Sequence, residues 1–495
     1  MARATLLVFL GVFALGVGLF SRRNHFPFYY HPDEPRKVKQ LIQNKRNLHH
    51  PLLMLTSVDL VRRTVLWGEA KRDPQRVAEI GRWVTAAFAA LAAAALAALA
   101  SQIHGVFAGC VVGALCVVNP LLFELAHYFK EDPYLAAGIA LTCLALHQMR
   151  TREDARSFAL LGAATALAAA GKYVGFALLP MVVGAAFWHR SSSLPLKHRL
   201  GWLLGTFAVV WLSVNWWVLR SPGLLWESVA EETTKAFGGE EGPTRSIPHL
   251  QYLMVQHSYS TPWLEFGAGV WLLLVMLRRL KVSLAEWVLF ATAVLLFAVL
   301  SFTPKTSPRY HLPVALAFSY FAGVGVIGVA GLVAPKSPGL KTSVAAALAI
   351  CLLIPEMDRL RLRFNGFARD DRAALVDFVK TNVPANATIA QDEAANLPEP
   401  TRRTEHAKRE PLPQKIIGEK QIADRGELSA LKAEGVTHVA ICARTYVRFL
   451  SGGDSPERRF YEDVRKRGTL LFSREPGPIS YLQPGLSLID IMHLK

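Results

Sequence analysis

The first 355 residues carry one apolar run after another, and this recurrence restricts the chain more than any other feature. Several runs are about 17 to 25 residues long, enough for a helix to cross roughly 30 Å of hydrocarbon. That pattern predicts a polytopic, all-α membrane domain and excludes an ordinary soluble enzyme. The candidate spans are 4–20, 80–99, 103–123, 133–149, 156–171, 173–188, 200–219, 263–277, 284–300, 312–332 and 341–355. The count is about eleven, because the stretch around Gly171, Lys172 and Tyr173 could instead be a break within one helical hairpin.

Charge supplies an independent test of topology. The chain has 55 Lys and Arg against 38 Asp and Glu. Residues 356–495 hold 23 basic and 20 acidic side chains, leaving 32 and 18 for residues 1–355. The excess therefore belongs to the membrane part, where it orients helices and meets lipid phosphates; it does not argue for nucleic acid. With the N-terminus in the cytoplasm, the short inner loops become 148–156, 189–199, 278–281 and 334–341, and all four have a Lys/Arg excess. Residues 21–79, 124–132, 220–262, 301–311 and the C-terminal part then share the outer side. The first outer loop departs from the rule, with eleven basic and five acidic residues between 21 and 75. Cations kept there suit lipid headgroups or a phosphorylated ligand. Within that loop, PLLMLTSVDLVRRTVLW (51–67) has the spacing of an amphipathic helix at the interface.

After Pro355 the pattern changes. An amphipathic helix followed by a short strand, a helix-Gly-strand unit ending in THVAIC, and two strand candidates around a Gly/Pro turn predict a small α/β domain over 356–495. The stretch 396–420, rich in Pro, Lys, Arg and Glu, reads as a long solvated loop. Four of the five cysteines lie in apolar runs and the fifth in THVAIC, so none has metal-ligand spacing.

Three polar motifs stand where a membrane chain should avoid charge. YYHPDEPRK (29–37) holds Asp33 and Glu34 between two prolines. A base that takes a proton from a hydroxyl needs such a fixed carboxylate, although Asp33 could equally cap a helix. YFKEDPYLAAG (128–138) holds a second acidic pair, Glu131 and Asp132, at the start of a span. SFTPKTSPRYHLP (301–313) offers Lys305 and Arg309 to a phosphate, or to lipid headgroups, with Tyr310 placed to position a lipid or sugar. Lys172, set between apolar helices, requires a partner: a donor phosphate, or Glu131 or Asp132. The long outer segment 220–262 contains GGEEGP and an aromatic run, as a gate would need; its Glu227, Glu231, Glu232 and His257 carry no ranked role.

The order HPDEPRK, YFKEDPYLAAG, GKYVGFALLP, SPRYHLP and an outer C-terminal domain resembles the bacterial membrane glycosyltransferases of the C-type fold. The nearest group is the protein O-mannosyltransferase and aminoarabinose-transferase superfamily. The resemblance implies eleven to thirteen spans in residues 1–355, a C-terminal extracytoplasmic α/β domain over 356–495, and residence in the bacterial cytoplasmic membrane. It further implies transfer of one sugar, with inversion, from a polyprenyl-phosphate donor to a glycan, lipid or protein acceptor of the cell envelope at the outer face. Residue by residue it makes Asp33 the general base with Glu34 as neighbour and alternative. It places Asp132, supported by Glu131, at the second acidic position, and Arg309 on the donor phosphate with Lys305 and Lys172 in support. Relatives differ in whether a divalent ion is seen; one could bridge Asp33 or Glu34 to Asp132. The rival class is a lipid or glycolipid transporter, which should place ionisable groups near the bilayer midplane within repeated bundles. This topology predicts that a reporter active only in the cytoplasm stays silent when fused to the C-terminus; activity there would overturn the orientation.

Overall fold

The structure is a computed structural model that describes residues 2–24, 31–152, 154–188, 194–238, 259, 262–301, 307–398, 411–450 and 453–492. The chain divides into two compact units, Met1–Asn24 with Arg36–Leu360, and His25–Pro35 with Arg361–Lys495.

The first unit is helical. Its helices are α1 (Arg3–Phe20), α2 (Glu34–Ile42), α3 (Leu53–Val65), α4 (Pro74–His104), α5 (Val106–Val117), α6 (Pro120–Ala126), α7 (Asp132–Arg152), α8 (Ala155–Gly171), α9 (Leu178–Trp188), α10 (Leu196–Val214), α11 (Trp217–Arg220), α12 (Pro222–Gly238), α13 (Pro262–Met276), α14 (Leu284–Ser301), α15 (Leu312–Val333) and α16 (Pro338–Gly366). Local chemistry sets their ends. Asp73 caps α4 by accepting from the Gln75 and Arg76 amides at 2.9 and 3.3 Å, with Pro74 in the first turn. The same helix stops where Gly105 adopts a φ of 94°. The chain bends by 61° between α5 and α6. At that bend Asn119 accepts from the Leu121 and Leu122 amides and donates through Nδ2 to Ser319 Oγ at 3.3 Å.

Small residues draw these helices together. Alanines at 92–95, 97, 98 and 100 in α4 are fully buried, as expected where packing between backbones replaces a hydrophobic driving force. Between α7 and α8 the approach is closest at Gly138, where an added Cβ would lie 2.3 Å from Ala168 Cα. At one end of the unit, His104 and Glu286 meet at 2.7 Å, and Glu286 also accepts from Tyr320 Oη at 3.1 Å and the Ser283 amide at 2.8 Å. No motif in the sequence singled out this buried cluster.

All eleven apolar stretches fall on helices, but length and apolarity suffice for crossing a membrane in fewer. Among the described residues five qualify, namely Arg3–Phe20, Pro74–His104, Leu284–Ser301, Pro308–Val333 and Pro338–Asn382, or six if the bent α5–α6 pair is one span. The protein is a multi-pass membrane protein, and among the described residues five or six spans of the eleven or so expected are established by length and apolarity. The shortfall has physical causes. Ala155–Gly171, Tyr173–Trp188 and Pro262–Met276 are apolar but only 10–17 residues long, and α7 is diluted by Asp132, His147, Gln148, Arg150 and Arg152.

The second unit contains a five-stranded sheet of order β2-β1-β3-β5-β4, built from β1 (Thr388–Asp392), β2 (Lys415–Glu419), β3 (His438–Cys442), β4 (Thr469–Arg474) and β5 (Leu486–Asp490). Strand β1 runs parallel to β2 and β3, whereas β5 is antiparallel to β3 and β4. Alternation sends Ile389, Ala440 and Leu488 to one core, with Leu375 and Val379 of α17 (Asp371–Asn382). Ala390, Val439, Ile441 and Ile489 face the other core, with Phe460 and Val464. The reading of 396–420 as one loop needs correction, because residues 415–419 form β2 and pair with β1 from Thr388 to Asp392. The strand is short and begins and ends in charge, which hid it; residues 399–410 lie outside the described ones.

Asp392, the last residue of β1, ties that strand to the end of β3, to the turn after β2 and to the helix Pro456–Arg467. It accepts from the Ile422 amide (2.9 Å), the Cys442 amide (2.9 Å) and Tyr461 Oη (2.8 Å). Burial pushes its carboxyl up to about 6, despite these three hydrogen bonds favouring the ion. A carboxyl raised above its unfolded value of 3.8 takes up its proton on folding. Its contribution is therefore complete at low pH and is lost as pH rises through about 6. In the intact protein, amide exchange at Ile422 and Cys442, corrected for intrinsic rate, should be faster at about pH 7.5 than at about pH 5. Asp392→Asn should remove that difference, and equal protection of the native protein at both pH values would contradict the assignment.

Candidate active site

Helices α7 and α8 form a hairpin whose short turn is capped by Asp154, which accepts from the Ser157 amide at 2.8 Å. At the far end of the hairpin, the start of α7 meets the end of α8. There Gly171 packs so tightly that a Cβ would sit 2.7 Å from the Leu135 amide. Lys172 leaves the helix in extended conformation (φ −150°, ψ 148°), and its ammonium group pairs with Asp132, forty residues earlier in the chain. Each charge also suits its helix end, a carboxylate in the first turn of α7 and a cation just past the last turn of α8.

The turn Pro308–His311, which leads into α15, brings in a second cation. Arg309 donates to Tyr310 Oη at 3.1 Å and lies 5.1 Å from the centre of that ring, while Lys172 lies 4.9 Å from it. Tyr310 thus holds two cations near one aromatic ring. Asp132, Lys172, Arg309 and Tyr310 all line one cavity of about 450 Å³. Leu135, Val174, Leu296, Val299, Leu300 and Pro313 supply its apolar wall, and an adjoining apolar hollow shares Leu135, Val174 and Leu296. His49, His50, Tyr173, Glu232 and Thr233 add polar groups to the lining.

Glu131, next to this cavity in sequence, is bound elsewhere. Lys37 reaches it at 2.6 Å and also donates to the Phe129 carbonyl at 3.1 Å, while Lys130 lies 3.8 Å away. Burial opposes ionisation of Glu131, but Lys37 and Lys130 outweigh it and hold the carboxyl well below the usual range. One oxygen of Glu131, Oε2, and one of Asp132, Oδ2, are buried without a hydrogen-bond partner. Such atoms are costly unless a ligand or water reaches them.

The remaining expected residues are not among those described as lining this cavity. Asp33 and Glu34 belong to the second unit. There the Asp33 amide donates to His31 Nδ1 at 3.1 Å, and the His31 ring packs 4.6 Å from that of Tyr481. Asp33 is half-buried and Glu34 fully buried. Lys305 lies outside the described residues, as do GGEEGP from residue 239 onward and His257. Among the described residues no group of three His, Cys, Asp or Glu side chains is arranged to hold a divalent ion, and Lys172 already occupies Asp132. Sequence reasoning missed His49, His50, Tyr173 and Thr233, and left Glu232 unranked. The adjacent histidines in NLHHP, an unusual pair at the foot of an interfacial helix, were the available signal.

Residues 77–217 match the family described as dolichyl-phosphate-mannose-protein mannosyltransferase. A comparison with curated proteins gives no match. Among solved structures, ArnT from Cupriavidus metallidurans bound to undecaprenyl phosphate superposes with a TM-score of 0.55 at 13% identity, covering 99% of this chain and 98% of that one. The Archaeoglobus fulgidus oligosaccharyltransferase AglB, in complex with an inhibitory peptide and a dolichol-phosphate, gives 0.53 at 11% identity, covering 93% and 72%. The protein has the C-type glycosyltransferase fold. Within this fold the matched segment 77–217 contains Glu131, Asp132, Lys172 and Tyr173, whereas Arg309 and Tyr310 lie beyond it.

The Asp132–Lys172 pair yields a prediction about stability. Breaking a buried pair from one side strands the other charge, at about 3 kcal/mol or more. Lys172→Met should therefore destabilise the protein by that order, and adding Asp132→Asn should recover most of the loss. Thermal unfolding of the purified protein in detergent measures both variants; strictly additive losses would show that the two side chains are not coupled.

Proposed function

We propose that the protein transfers a sugar, with inversion, from a polyprenyl-phosphate donor to a glycan, lipid or protein acceptor at the outer face of the bacterial cytoplasmic membrane. The observation that carries this reading is the cavity, whose lining combines two cations beside Tyr310 with apolar and with uncharged polar side chains. A polyprenyl-phosphate sugar has the same three parts: an apolar tail, a phosphate and a polyhydroxylated ring. The relatives in the comparisons were solved with undecaprenyl phosphate and dolichol-phosphate, which supports the donor class.

Arg309 and Lys172 hold the phosphate, Arg309 through its planar fork of donors. An acceptor oxygen attacks the anomeric carbon as the bond to the phosphate oxygen breaks. The bonding pair leaves with polyprenyl phosphate, whose growing charge the two cations stabilise. The acceptor's proton passes to a carboxylate. We assign that base to Asp33 on the HPDEPRK motif, since Asp132 is already engaged by Lys172. Membrane topology belongs to the same proposal. Eleven crossings remain compatible with the helices if the short ones are accommodated by local thinning of the bilayer, and the inner-loop cations support an extracytoplasmic C-terminal unit.

Asp33→Asn keeps the size of the side chain but removes its proton affinity. Transfer of labelled sugar from purified polyprenyl-phosphate sugars into membrane extracts should fall by roughly 10² to 10⁴ while donor binding persists. Arg309→Ala should weaken donor binding as well as turnover. Transfer unchanged by Asp33→Asn would remove Asp33 as the base. Movement of donor lipid across vesicles with no transfer from any donor would favour a transporter.

A further inference from the structure

His50, in the connection between α2 and α3, faces the same cavity as Asp132, Lys172 and Arg309. The charges around His50 come from three segments: Lys37 on α2, Lys130 and Glu131 before α7, and Lys172 after α8. Burial drives the imidazole down to about 4, and the three ammonium groups add to that effect against the single opposing carboxylate of Glu131. At neutral pH the ring is therefore uncharged, with one nitrogen that donates and one that accepts.

A phosphate group can use only donors, and Lys172 and Arg309 already supply them. A sugar hydroxyl both donates and accepts, and a neutral imidazole satisfies both halves. The phosphate is assigned to the cations and the tail to the apolar lining, which leaves the sugar to the polar lining side chains, His50 among them. We propose that His50 is a specificity-determining residue that hydrogen-bonds a hydroxyl of the donor's sugar, an inference that rests on the polyprenyl-phosphate reading above.

The test compares two kinds of lipid on the purified full-length protein in detergent: undecaprenyl phosphate, and the same lipid bearing mannose, glucose or xylose. His50→Leu should weaken the best-bound sugar lipid by roughly tenfold and leave undecaprenyl phosphate unaffected. His50→Gln, which keeps a donor and an acceptor, should recover part of the loss. His50→Ala gives the same comparison if the leucine variant fails to insert. Equal weakening of both kinds of lipid would mark His50 as a phosphate contact or a packing residue and overturn the inference. So would no weakening, or a native protein that gains no affinity from any attached sugar. A native protein that binds neither lipid would instead overturn the donor reading itself.

Discussion

Lys172 cannot lie between apolar helices without a counter-charge, and the geometry of the first unit follows from how it obtains one. The hairpin of α7 and α8 closes at Gly138 against Ala168 and at Gly171 against Leu135. With a side chain at either glycine the helices would separate, and the ammonium group would lose Asp132. Removing two ions from water costs several kcal/mol per ion unless their geometry is close. Small residues along the hairpin are therefore what make the charged corner tolerable. The cavity forms beside that corner, and Tyr310 carries Arg309 to it from a turn more than 130 residues later in the chain.

Two buried acidic residues that are neighbours in sequence have separate partners. Glu131 is taken by Lys37 from α2, and Asp132 by Lys172 just past α8. Each carboxylate spends one oxygen on its lysine and keeps the other without a hydrogen bond. This division keeps the two carboxylates, adjacent in sequence, each neutralised by a lysine from a different segment.

Much of the fold was legible because hydrophobic runs and Gly/Pro punctuation are local signals. All eleven apolar stretches are helical, and the helix-Gly-strand unit ending at Cys442 is present. The span count was less legible, since helices of the α8 and α13 kind read as membrane spans by composition while being short for one by length. Strand β2 was hidden because KIIGE has no pattern of its own and gains meaning only through its register with β1. At the site, Asp132, Lys172, Arg309 and Tyr310 could be chosen because charge in an apolar setting demands an explanation. His50 could not. A neutral side chain in a connecting segment raises no conflict in sequence, and its character comes from lysines that only the folded chain gathers around it.

The bend between α5 and α6 carries a consequence for biogenesis. Asn119 caps the second helix of the pair, but its Nδ2 finds Ser319 only across 200 residues. During synthesis α5 and α6 therefore emerge long before their partner helix exists. Until α15 arrives, that amide must be covered by water, by headgroups or by the insertion machinery. The hydrogen bond that joins the bend to α15 can therefore form only after most of the membrane unit has been made.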